Sequence, residues 1–326
     1  MSDPTTSGGA DGRPAIAVGP STTRPTPRPW IADAVTAGGA RIVDPAEAEA
    51  LVWTDEAGDP DDDAPTALRR LLDEHPAIRW VQLPWAGVES YAAAGVFDHD
   101  HVWSCGKGVY APPVAEHALT LALAGLRNLK RFTTAQSWGE QSGISLQGGR
   151  ITIFGGGGIT EELVRLLHPL GPTITVVRRH PRPMPGVETV IDFEERYEAL
   201  KGADLVVLAL ALTPETRGVI SEIELELMEP HAWLVNVARG EHVVTEDLVI
   251  ALREDAIGGA ALDVTDPEPL PDGHPLWALP NCIVTPHTAN TEDMAVELLS
   301  ARVTENVRRW AAGEPLLGLV DPELGY

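Results

Sequence analysis

The chain has 326 residues, 24 of them Lys or Arg and 48 Asp or Glu, for a formal charge of −24 at neutral pH. This length suffices for two hydrophobic cores, and 44% hydrophobic with 22% charged residues is the mixture of a folded chain rather than a disordered one. Such acidity argues against a nucleic-acid partner, which needs a basic face, and against docking on an anionic membrane.

Residues 1–14 are rich in Ser, Thr, Gly and Asp and lack the basic-then-apolar order of a secretory signal, so they read as a disordered lead. Short apolar runs at residues 15–18, 50–53 and 80–83 then alternate with helical stretches such as 67–74. That alternation predicts a parallel sheet covered by helices on both faces. The run Asp59-Pro60-Asp61-Asp62-Asp63 holds a proline and has neither a glycine turn nor a distal glutamate, and reads as solvated loop. Residues 114–132 (VAEHALTLALAGLRNLKRF) are long and apolar enough for a substantially buried helix. Glu116 near its start and Arg127, Lys130 and Arg131 near its end suit the helix dipole.

Gln147-Gly148-Gly149 then punctuates the chain before β runs at 150–154, 173–177, 205–212, 233–237, 259–262 and 282–285. Such a series with helical or loop crossovers predicts a doubly wound nucleotide-binding sheet. Residues 292–312 read as one amphipathic helix returning to the first domain. No apolar run approaches the roughly 18 residues of a membrane span. Cys105 and Cys282 lie far apart, with no CxxC and no His/Cys cluster, so neither a disulfide scaffold nor a metal site is expected. A reduced cytoplasmic compartment is the expected location.

The strongest local signal is Phe154-Gly155-Gly156-Gly157-Gly158-Ile159-Thr160, which follows a β run and opens a helical segment at 161–167. Glycines let a backbone approach a pyrophosphate, and a helix N-terminus offers N–H donors and positive potential. Gly155 and Gly157 fill the first two positions of the dinucleotide pattern, whereas Thr160 replaces the third glycine. That replacement implies a wider helix–strand approach or a shifted helix start, and Glu161 and Glu162 oppose a bound anion unless they point away. At the end of the next β run, where an NAD site places an acid, stand Arg178-Arg179-His180-Pro181-Arg182. Guanidinium groups there suit a 2′-phosphate, so NADP(H) is favoured over NAD(H); the alternative is a solvent-exposed arginine loop.

Three further segments end β runs: Asn236-Val237-Ala238-Arg239-Gly240, Asp263-Val264-Thr265-Asp266-Pro267-Glu268, and Thr285-Pro286-His287. In an open parallel sheet the carboxyl ends of the strands share one crevice. An arginine to grip a carboxylate, a histidine to protonate an alkoxide and a carboxylate to orient the histidine are what reducing a 2-oxo acid needs.

In order, these segments resemble the D-isomer-specific 2-hydroxyacid dehydrogenase family, together with Gly108-Val109-Tyr110-Ala111 before V-A-E-H and Leu212-Thr213-Pro214-Glu215-Thr216-Arg217-Gly218. The resemblance implies Arg239 as substrate-binding arginine, Glu268 as the histidine's partner and His287 as acid/base. It implies Asp263 as the contact to the nicotinamide amide, with Gly155, Gly157, Gly158, Ile159, Arg178, Arg179, Thr213, Val237 and Ala238 around the cofactor. Pro84-Trp85-Ala86-Gly87-Val88 resembles the family's substrate loop, in which Ala86 and Gly87 would offer N–H groups to the carboxylate. Trp85 either limits substrate size or packs in the core. His117, His242 and His274 lack comparable context and are read as structural or surface histidines.

The resemblance further implies two Rossmann-like α/β domains. A flavodoxin-like substrate domain (residues 1–101 and 291–326) would surround an inserted dinucleotide-binding domain (residues 102–290). The expected activity is hydride transfer between NADP(H), or NAD(H), and C2 of a small 2-oxo acid, with glyoxylate or hydroxypyruvate favoured and no metal. A homodimer through the dinucleotide-binding domain is expected. The alternatives are an NAD-dependent 3-phosphoglycerate dehydrogenase and, because the family also holds transcriptional co-regulators, a non-catalytic dinucleotide sensor. Besides Thr160, departures from the family pattern are Val244 where an aspartate is frequent, and Ala209 and Ala211 where histidine and proline are common.

Overall fold

The computed structural model describes residues 12–19, 28–54 and 63–325, and the chain divides into two compact units. The first, Met1–Tyr110 with Glu292–Tyr326, holds β1 (Ala15–Val18), β2 (Arg41–Ile42), β3 (Ala50–Val52), β4 (Trp80–Gln82) and β5 (Val102–Ser104). All pair in parallel in the order β2-β1-β3-β4-β5, the flavodoxin-like order. β1, β3 and β4 are buried along their whole length, which is why β1 and β3 are continuous apolar runs instead of alternating ones, and β4 departs from that only at the buried Gln82. Leu51, Trp53, Leu68, Ile78, Val81, Leu83 and Trp103 form the core. The helix Ala64–Glu74 starts where the Asp63 carboxylate accepts the Thr66 N–H at 2.8 Å, so the last residue of the acidic run is a cap; the rest of that run, like residues 1–11, lies outside the described residues.

The helix Glu292–Ala312 does return to this unit. Its Thr304 hydroxyl donates to the Ala34 carbonyl at 3.1 Å. Its fully buried Asn306 donates to Gln82 Oε1 and the Leu317 carbonyl and accepts the Leu317 N–H, so the polar group is satisfied on all sides used. The division expected between residues 101 and 102 differs from the structure. Val102–Ser104 is hydrogen-bonded to β4 as an edge strand of the first sheet, and the unit extends to Tyr110.

The second unit, Ala111–Thr291, holds β6 (Arg150–Phe154), β7 (Thr173–Val177), β8 (Thr189–Ile191), β9 (Leu205–Leu208), β10 (Trp233–Asn236), β11 (Gly259–Leu262) and β12 (Cys282–Val284). They form one parallel sheet in the order β12-β11-β10-β9-β6-β7-β8. The chain reverses direction across the sheet between β6 and β9, so ligand is expected at the carboxyl ends around that switch.

The helix expected over 114–132 is two helices, Ala111–Leu126 and Leu129–Thr133, separated by Asn128 at φ +51°. Asparagine tolerates that left-handed conformation, so a continuous apolar pattern concealed a turn. Past the break, Lys130 places its ammonium on the carbonyls of Trp277, Leu279 and Cys282 at 3.1, 3.0 and 2.6 Å, fixing the approach to β12. Among the described residues no helix is long and apolar enough to cross a membrane.

Candidate active site

At the switch point β6 runs into Gly155, at φ +102°, where a Cβ would lie 2.2 Å from the Ala209 carbonyl oxygen. Only glycine fits there. Gly157 then stands as the N-cap of the helix Gly158–Leu167, with open space on its Cβ side. Gly158 and the half-buried Ile159 form the helix's first turn. Glycine backbone, free approach and unpaired helix N–H groups make this turn fit a dinucleotide pyrophosphate. The missing third glycine is accommodated from within: Thr160 is fully buried and its hydroxyl donates to the Gly155 carbonyl at 2.9 Å. Glu162 turns along the helix to Arg165 at 2.8 Å, whereas exposed Glu161 remains close enough to act on the Arg178 charge.

Arg178 and Arg179 follow β7. The guanidinium of Arg178 covers Gly156, where a Cβ would come 2.9 Å from its Nη1. Burial, together with the nearby Arg182 charge, lowers the Arg178 pKa; both effects are relieved by an arriving anion. Arg179 is exposed and lies 3.5 Å from Glu215 of the Thr213–Gly218 turn. Glu215 is itself held below the ordinary carboxylate range by its hydrogen bond with Thr213. The segment with no acid of its own therefore receives one from elsewhere in the sequence. Thr213 lies in the same turn, its N–H donating to Thr216 Oγ1 at 2.8 Å.

The carboxyl ends of β10, β11 and β12 lie side by side. Past β10, buried Asn236 braces the turn: its side chain accepts the Ala238 N–H at 3.0 Å and donates to the Arg239 carbonyl at 2.8 Å. Val237 and Ala238 are buried beneath it. The Arg239 N–H donates to His242 Nδ1 at 3.2 Å, and His242 Nε2 lies 3.3 Å from the Ala211 carbonyl. His242 is fully buried, which selects the structural over the surface reading, and burial holds its pKa below the ordinary value. A Cβ on Gly240 would lie 2.0 Å from the Thr265 carbonyl, so the arginine turn rests directly on the segment that carries Glu268.

Past β11, Glu268 Oε2 accepts the Thr265 N–H at 3.3 Å and Oε1 stands 2.7 Å from His287 Nδ1. His287 adopts φ +49°, a left-handed conformation that histidine enters more readily than most residues, held by its N–H to the carbonyls of Asp263 and Thr285. The buried Asp263 carboxylate accepts the Thr285 hydroxyl at 2.6 Å and the N–H groups of Thr288 and Ala289 at 2.9 Å each. Burial alone would raise its pKa, but these bonds and that from His117 outweigh it and hold the group at about 2. His117, on the helix Ala111–Leu126, reaches Thr285 Oγ1 at 3.1 Å and Asp263 Oδ1 at 3.3 Å. Sequence reasoning missed both His117 and His242. His117 adjoins the helix's buried face, and His242 sits three residues past Arg239, spacings that carry the signal only once a neighbour is known.

In the first unit the segment after β4 is pinned: the Tyr110 hydroxyl donates to the Pro84 carbonyl at 2.6 Å and the Gly106 N–H to that of Trp85 at 2.8 Å. Trp85 is half-buried between the Arg28 guanidinium, 5.0 Å from its ring, and the Tyr110 ring at 6.1 Å. Among the described residues, the N–H groups of Ala86 and Gly87 have no backbone acceptor. His274 caps a short helix, accepting the Leu276 N–H.

A glycine turn at the sheet switch, with acid, base and arginine at adjacent strand ends, defines a dinucleotide-dependent oxidoreductase of 2-hydroxy acids. Residues 118–289 match the family model described as D-isomer specific 2-hydroxyacid dehydrogenase, NAD binding domain. A human glyoxylate reductase/hydroxypyruvate reductase is 31% identical over 76% of this chain and 81% of its own. A glyoxylate/hydroxypyruvate reductase A of Photorhabdus laumondii is 31% identical over 65% and 68%. A D-isomer specific 2-hydroxyacid dehydrogenase from Xanthobacter autotrophicus Py2, solved in complex with NADPH and MES, aligns with a TM-score of 0.80 and 28% identity over 95% of this chain and 99% of that one. The chain belongs to the D-isomer specific 2-hydroxyacid dehydrogenase family and is an NAD(P)-dependent oxidoreductase.

Proposed function

We propose that this dehydrogenase reduces glyoxylate or hydroxypyruvate with NADPH. The observation that carries the reading is the Glu268–His287 pair at 2.7 Å beside the arginine turn, at the carboxyl edge of a dinucleotide-binding sheet. With Glu268 accepting from Nδ1–H, His287 keeps Nε2 for the substrate oxygen, the arrangement of an oriented general acid. Arg239 holds the carboxylate and polarises the ketone, and the N–H groups of Ala86 and Gly87 are assigned to the same carboxylate by the family resemblance. Gly155, Gly157, Gly158 and Ile159 would hold the pyrophosphate, Arg178 and Arg179 the 2′-phosphate, and Thr213, Val237, Ala238 and Asp263 the nicotinamide side. NADPH, when bound, supplies the hydride that C2 receives. The proton on His287 Nε2 passes to the carbonyl oxygen, so the 2-oxo acid leaves as the 2-hydroxy acid.

The substrate preference is supported by the reductases to which the chain is similar, and the cofactor preference by Arg178 over the glycine turn and by the NADPH-bound relative. A cytoplasmic homodimer belongs to the same reading. Turnover of a panel of short 2-oxo acids, followed at the nicotinamide absorbance with NADPH and NADH, is the test. Glyoxylate and hydroxypyruvate with NADPH are expected to lead, and His287→Ala to lower kcat by roughly 10² to 10⁴. No turnover of any 2-oxo acid would overturn the proposal.

A further inference from the structure

We propose that His117 is a positioning residue for hydride transfer: through the Thr285 hydroxyl it locks the Asp263 carboxylate, and with it the His287 backbone and the nicotinamide contact. The proposal rests on the dehydrogenase reading above. Its basis is a chain of donors whose direction the distances fix. The Thr285 hydroxyl, 2.6 Å from Asp263 Oδ1, donates to the ionised carboxylate. Its oxygen is then left to accept, and His117 Nε2 at 3.1 Å must bring the proton. The imidazole thus closes a relay of hydrogen bonds from the helix Ala111–Leu126, across the start of the loop after β12, to the carboxylate at the end of β11.

The lock matters because of what else Asp263 holds. Oδ1 accepts from Thr285, Thr288 and the His117 side, and Oδ2 accepts the Ala289 N–H. With about two acceptor positions on each carboxylate oxygen, Oδ1 is filled and one position on Oδ2 is left for a donor from outside the loop. A nicotinamide amide is the donor the family resemblance assigns there. Asp263's own carbonyl accepts the His287 N–H at 2.8 Å. One residue therefore aligns both the acid and the hydride side. Swinging the carboxylate to reach an unsatisfied His117 direction would misplace both together. The Arg239 turn is braced by the Asn236 side chain and His242, bonds that do not pass through the Asp263 carboxylate, so the substrate grip is expected to survive loss of the lock.

The experiment compares His117→Ala, His117→Gln, Thr285→Val and Thr285→Ser in the full chain. Glutamine restores an N–H near the Nε2 position and serine restores the hydroxyl. In His117→Ala and Thr285→Val, amide hydrogen exchange at Thr288 and Ala289 is expected to accelerate. The value of kcat should fall roughly ten- to a hundredfold, because small misplacements of reacting groups are costly. The KM for the 2-oxo acid should stay unchanged, and the deuterium isotope effect on kcat with 4-deuterated NADPH should rise. The Gln and Ser variants should recover both exchange protection and rate. Unchanged exchange and rate in His117→Ala, or equal losses in Ala and Gln variants shared by KM, would overturn the lock. The exchange arm needs no turnover, so a chain inactive on every 2-oxo acid would sink the function proposed above and still leave the lock decided by Thr288 and Ala289.

Discussion

At the β10–β12 end of the seven-stranded sheet, the candidate residues are held by hydrogen bonds within and between adjacent loops. Asp263 holds two N–H groups of the His287 loop, Glu268 is held by Thr265, and the Arg239 turn is braced by Asn236 and His242. At the β6–β7 end, Arg178 lies over the glycine turn, and Arg179 is exposed and shared with Glu215. The difference suits the two tasks proposed for these regions. Proton and hydride transfer tolerate little positional error, whereas a phosphate dianion is met by charge over a broader range of geometries. One end buys precision with closed hydrogen-bond circuits; the other relies on guanidinium groups that stay adaptable.

The contrast can be broken first at its rigid end. Asp263 has its pKa at about 2 against an ordinary 3.8, so its ionised form stabilises the fold above the ordinary value, and that stabilisation is lost as pH falls toward 2. Asp263→Asn is expected to destabilise the second unit by about 2 kcal/mol at pH 7, with the gap to wild type narrowing between about pH 4 and 2. Urea midpoints across that range measure it; a gap independent of pH would show that shape, not charge, makes the contribution.

At the adaptable end, Arg178→Ala should raise the KM for NADPH by about tenfold and leave NADH untouched, since a hydrogen bond to a charged group is what the 2′-phosphate would lose. Arg179→Ala should cost less, because its charge is exposed and already engaged. Parallel initial-rate measurements with the two cofactors decide this, and equal losses for NADH would remove the 2′-phosphate from the explanation. The smallest expected effect is Glu215→Gln. Releasing Arg179 from its acidic neighbour should strengthen NADPH binding about twofold at low salt and less at high salt, by titration of cofactor fluorescence.

The same two regions show how much could be read beforehand. Most strands of the second unit announce themselves as buried apolar runs, and the alternation puts Arg239, the acids of residues 263–268 and His287 past successive strand ends, with Glu268 singled out by the family resemblance. The glycine turn is equally visible, because a φ of +102° against a carbonyl demands glycine and leaves its mark in composition. What stayed hidden has physical reasons. β2, β5 and β8 are edge strands of two or three residues, each with a polar residue and an exposed position, so no apolar run marks them. Glu215 meets Arg179 from a distant loop, so the basic segment read as wholly unopposed. His117 and His242 act through partners far away in sequence or through a turn's backbone, and neither leaves a spacing that distinguishes a brace from a surface imidazole.

His242 carries one consequence beyond bracing. Accepting the Arg239 N–H at Nδ1 obliges the ring to keep its proton on Nε2, toward the Ala211 carbonyl, and a second proton on Nδ1 would have to displace the Arg239 N–H. Burial already disfavours the imidazolium, and the Arg239 charge disfavours it further. The arginine turn is thus buffered against acid. As pH falls, the electrostatic grip on an anionic substrate keeps its geometry. Substrate affinity should accordingly hold up under mild acid.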